Sequence, residues 1–301
     1  MTQQVDRRNF LQQITLLSAA TLLPLNACTM KSHQKDKIGL QLFTIRDAME
    51  KDPIGSLKKA RAMGYEDLEI YGYDGYKNMY YGFKADDFKK HLEDLELTST
   101  SGHYGFHSYF NKSNDDLYRY VDQCIIGAHS LGQKYITWPW LDPESRSIEA
   151  FKKLVDILNR VGERITKSGL GFAYHNHNFE FIDHDGQNGY ELILKHTDPE
   201  VVKLQLDLYW VKHASKLSPT ELIAKQPGRF VMWHIKDMDK VTRDYTELGN
   251  GSIDYTKILP EASKSGLEYY YLEQGGNYAH NSMRSIEDSI AYFKQNLQQY
   301  L

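Results

Sequence analysis

From residue 38 onward, short apolar runs alternate with amphipathic stretches eight times over. The runs predict strands over 38–43, 65–71, 97–103, 135–138, 171–177, 202–207, 230–236 and 269–273. Helices are predicted between and after them, over 53–63, 84–95, 113–131, 149–168, 189–197, 218–226, 254–266 and 282–301. Punctuation supports these boundaries: Pro53 follows Asp52 at a helix start, Gly64 closes that helix, and Ser113 is placed to cap another. The stretch over 149–168 carries Phe151, Leu154, Val155, Leu158, Val161 and Ile165 at helical spacing. Strands alternating with helices imply a parallel sheet, because parallel neighbours need crossover connections. Eight units in one stretch of this length match a single-domain α/β protein, the closed (β/α)8 TIM barrel. The rival is an open doubly wound sheet, but no glycine-rich phosphate loop follows the first strand.

In such a barrel, polar residues at the C-terminal ends of strands face the active site. Here those ends carry Gln41, Glu69, His103, His175, His177, Asp207, His234, Lys236 and Glu273. Strand alternation puts His175 and His177 on one face, and likewise His234 and Lys236. Each has an ordinary explanation alone: a hydrogen-bonded structural histidine, an Asp207 that caps a loop, a Glu273 that pairs with Lys236. An inward ring of imidazoles and carboxylates is costly without a cation. Mixed His and carboxylate ligands suit one divalent ion such as Mn2+, Co2+, Zn2+ or Fe2+.

The runs Tyr65-Glu66-Asp67-Leu68-Glu69-Ile70, Tyr174-His175-Asn176-His177-Asn178-Phe179-Glu180-Phe181, Leu204-Gln205-Leu206-Asp207-Leu208-Tyr209-Trp210, Trp233-His234-Ile235-Lys236-Asp237 and Tyr271-Leu272-Glu273 carry a resemblance. Together they resemble the xylose-isomerase-like barrels of the sugar phosphate isomerase/epimerase kind. The resemblance covers nearly all of 37–301 and implies a metal held by residues of strands five to eight. Asp207, His234 and Glu273 match three of those positions. The strand-five glutamate of the family falls on His175 here, so His175, Glu180 or His177 supplies the fourth ligand, with His175 ranked first. Loss of that glutamate leaves His177, Glu180 and Lys236, with Glu273, as candidate acids and bases. Gln41, Glu69, His103, Trp138 and Trp210 are then expected to contact substrate.

The resemblance implies an isomerase or epimerase that removes a proton beside a sugar carbonyl and passes through an enediolate. A beta leaving group would turn the same first step into 3-keto-glycoside cleavage by a lyase or hydrolase. A third reading is a sugar-binding protein without activity, in which Tyr104, Trp138, Trp140 and Trp210 stack on sugar rings.

Arg7 and Arg8 precede an apolar stretch from Ile14 to Leu25, which runs into Leu25-Asn26-Ala27-Cys28. This resembles a twin-arginine export signal ending in a lipoprotein cleavage box, with a departure at Asp6, where Ser or Thr is usual. Residues 1–28 are therefore expected to be an export signal, and 29–36 a polar tether to 37–301. The expected location is the periplasmic face of a membrane, with contact only through the lipid anchor. Free sugar phosphates are scarce there, which favours an unphosphorylated small sugar as partner. The formal net charge of -4, with no basic stripe, argues against nucleic acid. Beyond Cys28 the only cysteine is Cys124, expected to be a buried thiol on a helix.

Overall fold

The computed structural model describes residues 37–301; the expected signal over 1–28 and tether over 29–36 lie outside the described residues. Eight strands form the barrel: β1 (Gly39–Gln41), β2 (Asp67–Ile70), β3 (Thr98–His103), β4 (Tyr135–Trp138), β5 (Gly171–His175), β6 (Lys203–Asp207), β7 (Met232–Ile235) and β8 (Tyr269–Leu272). Each pairs in parallel with its sequence neighbours, and β1 pairs with β8, which closes the barrel. All eight lie where the apolar runs predict, because strands buried on both faces read as continuous apolar stretches. The ladders stop one or two residues early at several strands. His177, Lys236 and Glu273 therefore sit on the rim, just past the strand ends.

Helices follow the predicted pattern with some differences. Pro53–Met63 starts with the Asp52 side chain accepting from Gly55 N and stops at Gly64, whose φ of 105° suits glycine. Asn114–Leu131 is capped by Ser113 and buries Cys124 as expected. Ile148–Lys167 buries the predicted apolar face against the barrel. The single helix expected over 254–266 is instead three short pieces, Tyr255–Lys257, Leu259–Glu261 and Ala262–Ser265. Pro260 lacks the N–H that a continuous helix would use. Two helices unforeseen in the sequence, Arg46–Lys51 and Leu208–Ala214, fill the links after the first and sixth strands. No helix among the described residues is long and apolar enough to cross a membrane.

The N-terminal half of the barrel interior holds Tyr135, Ala173, Met232, Tyr269 and Tyr271. Asp67 joins them, accepting from Thr98 Oγ1 at 2.6 Å and from Thr100 Oγ1. The β2–β3 register shifts between Leu68 and Glu69. This irregularity lets the consecutive Thr100 and Ser101 both bond into the interior, to Asp67 and to Glu69. Tyr271 packs against Gly39, where an added Cβ would stand 2.3 Å from Tyr270 O and 2.6 Å from Tyr271 Cδ1. Gly39→Ala is expected to destabilise the barrel by about 1–3 kcal/mol through overpacking, read as a lower denaturation midpoint.

Candidate active site

The C-terminal end of the barrel is floored by buried polar groups. Glu69 is fully buried at its centre. Its Oε1 accepts from Ser101 Oγ at 2.7 Å and Gln205 Nε2 at 2.6 Å. Its Oε2 accepts from Gln41 Nε2 at 2.7 Å and lies 2.5 Å from His234 Nε2 and 3.1 Å from His103 Nε2. Gln205 Oε1 is 2.7 Å from His103 Nε2, which ties the sixth strand to the third.

Above this layer, His234 turns its other nitrogen, Nδ1, to Glu273 Oε2 at 2.5 Å. Lys236 Nζ lies 2.7 Å from Asp207 Oδ2 and 2.8 Å from Glu273 Oε2. His175 Nε2 is 3.6 Å from the same Asp207 oxygen. Ligand atoms of Asp207, His234 and Glu273 all lie within 4.8 Å of one another, and so do those of His103, His175 and His234. Asp207 Oδ2, His234 Nδ1, Glu273 Oε2 and His175 Nδ1 are buried without well-directed hydrogen bonds. Asp207 Oδ2, His234 Nδ1 and Glu273 Oε2 stand close together without the alignment of hydrogen-bonded pairs. Such lone pairs suit a divalent cation, so the donor set fits a metal, and the residues present form a possible His/Asp/Glu metal site.

The charges are strongly coupled. Burial alone would raise the Glu69 carboxyl, but His103 and His234 hold it well below the ordinary range. Burial disfavours a charged His234, yet Glu69 and Glu273 on its two nitrogens outweigh this and push it up to about 9. Burial likewise opposes charge on Lys236, but Asp207 and Glu273 keep it firmly protonated. Glu273 is driven far down by Lys236 and His234 against the effect of burial. Asp207 moves up because burial outweighs Lys236 and His234. His175 and His177 are pushed well down, first by burial, then by neighbouring histidines and Lys236, so both stay neutral.

A cleft of about 650 Å³ opens above this floor. His103, His175, His177, Lys236 and Glu273 form its polar base, and Phe43, Tyr71, Tyr104, Trp140, Trp210 and Tyr245 its aromatic walls. His177 stands edge-on to Trp140, at 5.0 Å between centroids, and 5.9 Å from Trp210. Arg146 stacks over both Trp140 and Phe179 and so fixes that wall. His107 Nδ1, His177 Nδ1 and Trp210 Nε1 are buried without partners among the described residues. The three residues line the cleft, where hydroxyl groups of a ligand could satisfy them.

The structure brings together His103, His175, His177, Asp207, His234, Lys236 and Glu273, as the sequence leads one to expect. It corrects four other assignments. Gln41 and Glu69 do not line the cleft: Gln41 donates to Glu69, and Glu69 holds His234 and His103 from below. Trp138 points out of the barrel, because β4 alternation turns Tyr135 and Thr137 inward; it stacks on Phe106 at 5.0 Å. Trp140, two residues on, takes the wall position. Glu180 is turned away by the short turn Phe179–Phe181 and accepts from Tyr174 Oη at 2.7 Å and His177 N at 2.8 Å. Glu180 is thus neither a ligand nor an acid or base at the floor, but a buried strut behind His177. Gln205 and Ser101 were not foreseen, although alternation already pairs them with Asp207 and His103. Asn176 ties two ligand strands together, its Oδ1 accepting from Asp207 N at 3.1 Å. Asp237 accepts from the backbone N–H groups of Met238, Gly249, Gly251 and Ile253, which shapes the loop after the seventh strand.

Burial raises the Glu180 carboxyl to about 7, against hydrogen bonds from Tyr174 and the backbone. The folded protein therefore holds this proton up to about pH 7, whereas the unfolded chain releases it near the ordinary glutamate value of 4.5. Stability contributed by this group is present below about pH 4.5 and lost as pH rises to 7. The loss is roughly 3 kcal/mol. Glu180→Gln is expected to remove that slope, so the stability difference between wild type and variant, read from denaturation curves, changes by roughly 3 kcal/mol over this window.

The fold recurs among solved structures. A sugar phosphate isomerase/epimerase from Parabacteroides distasonis ATCC 8503 is 26% identical, with a TM-score of 0.75, covering 87% of this chain and 99% of its own. The IolI protein with a bound zinc atom shares 17% identity at a TM-score of 0.69, covering 88% of this chain and 99% of its own. A xylose isomerase-like barrel from Mycobacterium smegmatis, in complex with magnesium, shares 17% at 0.65, covering 88% and 97%. None of the curated proteins matches the chain in sequence. A family model described as the xylose isomerase-like TIM barrel matches residues 57–296, and the chain belongs to that family.

Proposed function

We propose that the protein is a divalent-metal-dependent sugar isomerase or epimerase acting on an unphosphorylated sugar or sugar derivative. The observation that carries this reading is the convergence of Asp207, His234 and Glu273 just beneath the cleft, with the Asp207 Oδ2 and Glu273 Oε2 lone pairs free of well-directed hydrogen bonds and His234 able to give up its proton to an ion. With His175 they would hold the ion. When bound there, a divalent ion polarises a carbonyl as a Lewis acid.

The chain's own groups supply the rest. His177 is kept neutral and faces the cleft, so it can accept a proton from the carbon beside the carbonyl. The Lys236 ammonium can donate to the oxygen that gains charge as this proton leaves. Glu273, ionised at the floor, is the second proton carrier. Return of the proton to the adjacent carbon gives an isomer, and return to the opposite face an epimer. Trp140 and Trp210 offer stacking faces for the ring.

Lys236 is the one ammonium among the cleft-lining residues, and both its carboxylate partners are already engaged with it. Among the described residues no arginine and no second lysine lines the cleft to hold a phosphate, which supports an uncharged substrate. The aromatic walls and the cleft's size favour, as a second reading, cleavage of a 3-keto glycoside by the same first step. A binding protein without activity would have no use for the converging carboxylates and imidazoles.

Metal-loaded protein incubated in D2O with free sugars and 3-keto glycosides tests both. Deuterium uptake with a new epimer or isomer supports the first, and release of the aglycone the second. Neither metal retention nor deuterium uptake with any sugar would remove the proposal. The sequence over 6–28 supports export and a lipid anchor on Cys28; Cys28→Ser is then expected to move the protein from membrane to soluble fractions.

A further inference from the structure

We infer that Lys236 is a built-in cation that competes with the divalent ion for Asp207 and Glu273, and swings clear when the ion binds. This rests on the reading of Asp207, His234 and Glu273 as ligands. Lys236 Nζ contacts Asp207 Oδ2 and Glu273 Oε2, at 2.7 and 2.8 Å. These are also two of the three ligand residues of the candidate site, through oxygens that lack other directed partners. An ion needs those oxygens at about 2.0–2.2 Å. An ammonium left bridging the same pair would then face a doubly charged neighbour at close range, in a buried site where screening is weak.

Anchor and destination are both visible. The Lys236 backbone is fixed by Tyr255, whose hydroxyl accepts from Lys236 N at 3.0 Å and also lies against Lys236 O. The movement therefore falls to the side chain. The Tyr245 ring, with its centroid 5.8 Å from Nζ, lines the adjoining cleft and offers a second berth over its face. With the ion absent, the ammonium keeps two buried carboxylates from repelling one another. With the ion bound, it becomes available at the floor of the cleft to meet the substrate oxygen. The arrangement tempers metal affinity and couples ion loading to delivery of the lysine.

The test is a calorimetric titration of Mn2+ into metal-stripped full-length wild type and Lys236→Met. The expected result is at least tenfold tighter binding by the variant, because a competing charge has gone. Equal or weaker binding by the variant, with wild type still binding, overturns the competition and leaves the ligand reading standing. Binding by neither protein overturns both. A measurement on wild type alone covers a variant that does not fold. Acetylation of Lys236 by a small acylating reagent, followed by peptide mass mapping, is expected to quicken at least fivefold on adding Mn2+. An unchanged or slower rate overturns the inference.

Discussion

Asp207→Asn is expected to give a folded protein that retains almost no divalent ion after dialysis and exchanges substrate protons about a thousandfold or more slowly. The substitution separates two jobs of one side chain. Asp207 Oδ1 accepts from Trp210 N at 3.0 Å and caps the helix Leu208–Ala214. Asparagine caps as well as aspartate, so this helix survives. Oδ2 faces Lys236 and His175 and is the proposed ligand. In the variant an amide nitrogen can stand there, with no lone pair for a cation. Lys236 keeps Glu273 as its partner, so the floor is not left with a wholly unpaired ammonium. Metal content per chain, far-UV circular dichroism and deuterium incorporation read the three consequences separately. A variant with wild-type metal content would show that the ion, if any, sits elsewhere.

The barrel was legible in the sequence because its strands are buried on both faces, and apolar runs of that kind stand out from amphipathic helices. The strand ends were read too long for a reason tied to the site. His177, Lys236 and Glu273 look like strand continuations, but the chain is already leaving the ladder there to form the rim. Asp207, His234 and His175 were found by the same logic, since a polar residue at the end of an apolar run has few other reasons to point inward. Trp138 is a large aromatic at a strand end, but strand alternation alone puts it outside the barrel, against Phe106. The direction of Glu180 depends on one turn of 3-10 helix, Phe179–Phe181, which leaves no periodic trace in sequence. The helix Leu208–Ala214 was hidden because its cap is Asp207, a residue already assigned to chemistry.

Glu69→Ala should be the most destabilising single change at this end of the barrel. The carboxylate is fully buried and meets Gln41, Ser101, His103, Gln205 and His234, side chains from β1, β3, β6 and β7. Alanine strands several donors at once and leaves a charged His234 with only Glu273. Breaking a buried ion pair from one side costs about 3–5 kcal/mol. For a domain of this size that lowers the melting temperature by about 10 °C. Glu69→Gln keeps the volume and one acceptor, so a smaller loss is expected, and the difference between the two variants isolates the charge. Metal binding should suffer with stability. Glu69 holds His234 Nε2, and that contact is what turns Nδ1 toward Glu273. Removing such a partner from a ligating histidine typically lowers metal affinity 10–100-fold. Calorimetric metal titration of Glu69→Gln, which should still fold, reads this directly. Unchanged affinity there, together with a loss under about 1 kcal/mol in Glu69→Ala, would mean that packing, and not the buried carboxylate, sets the orientation of His234.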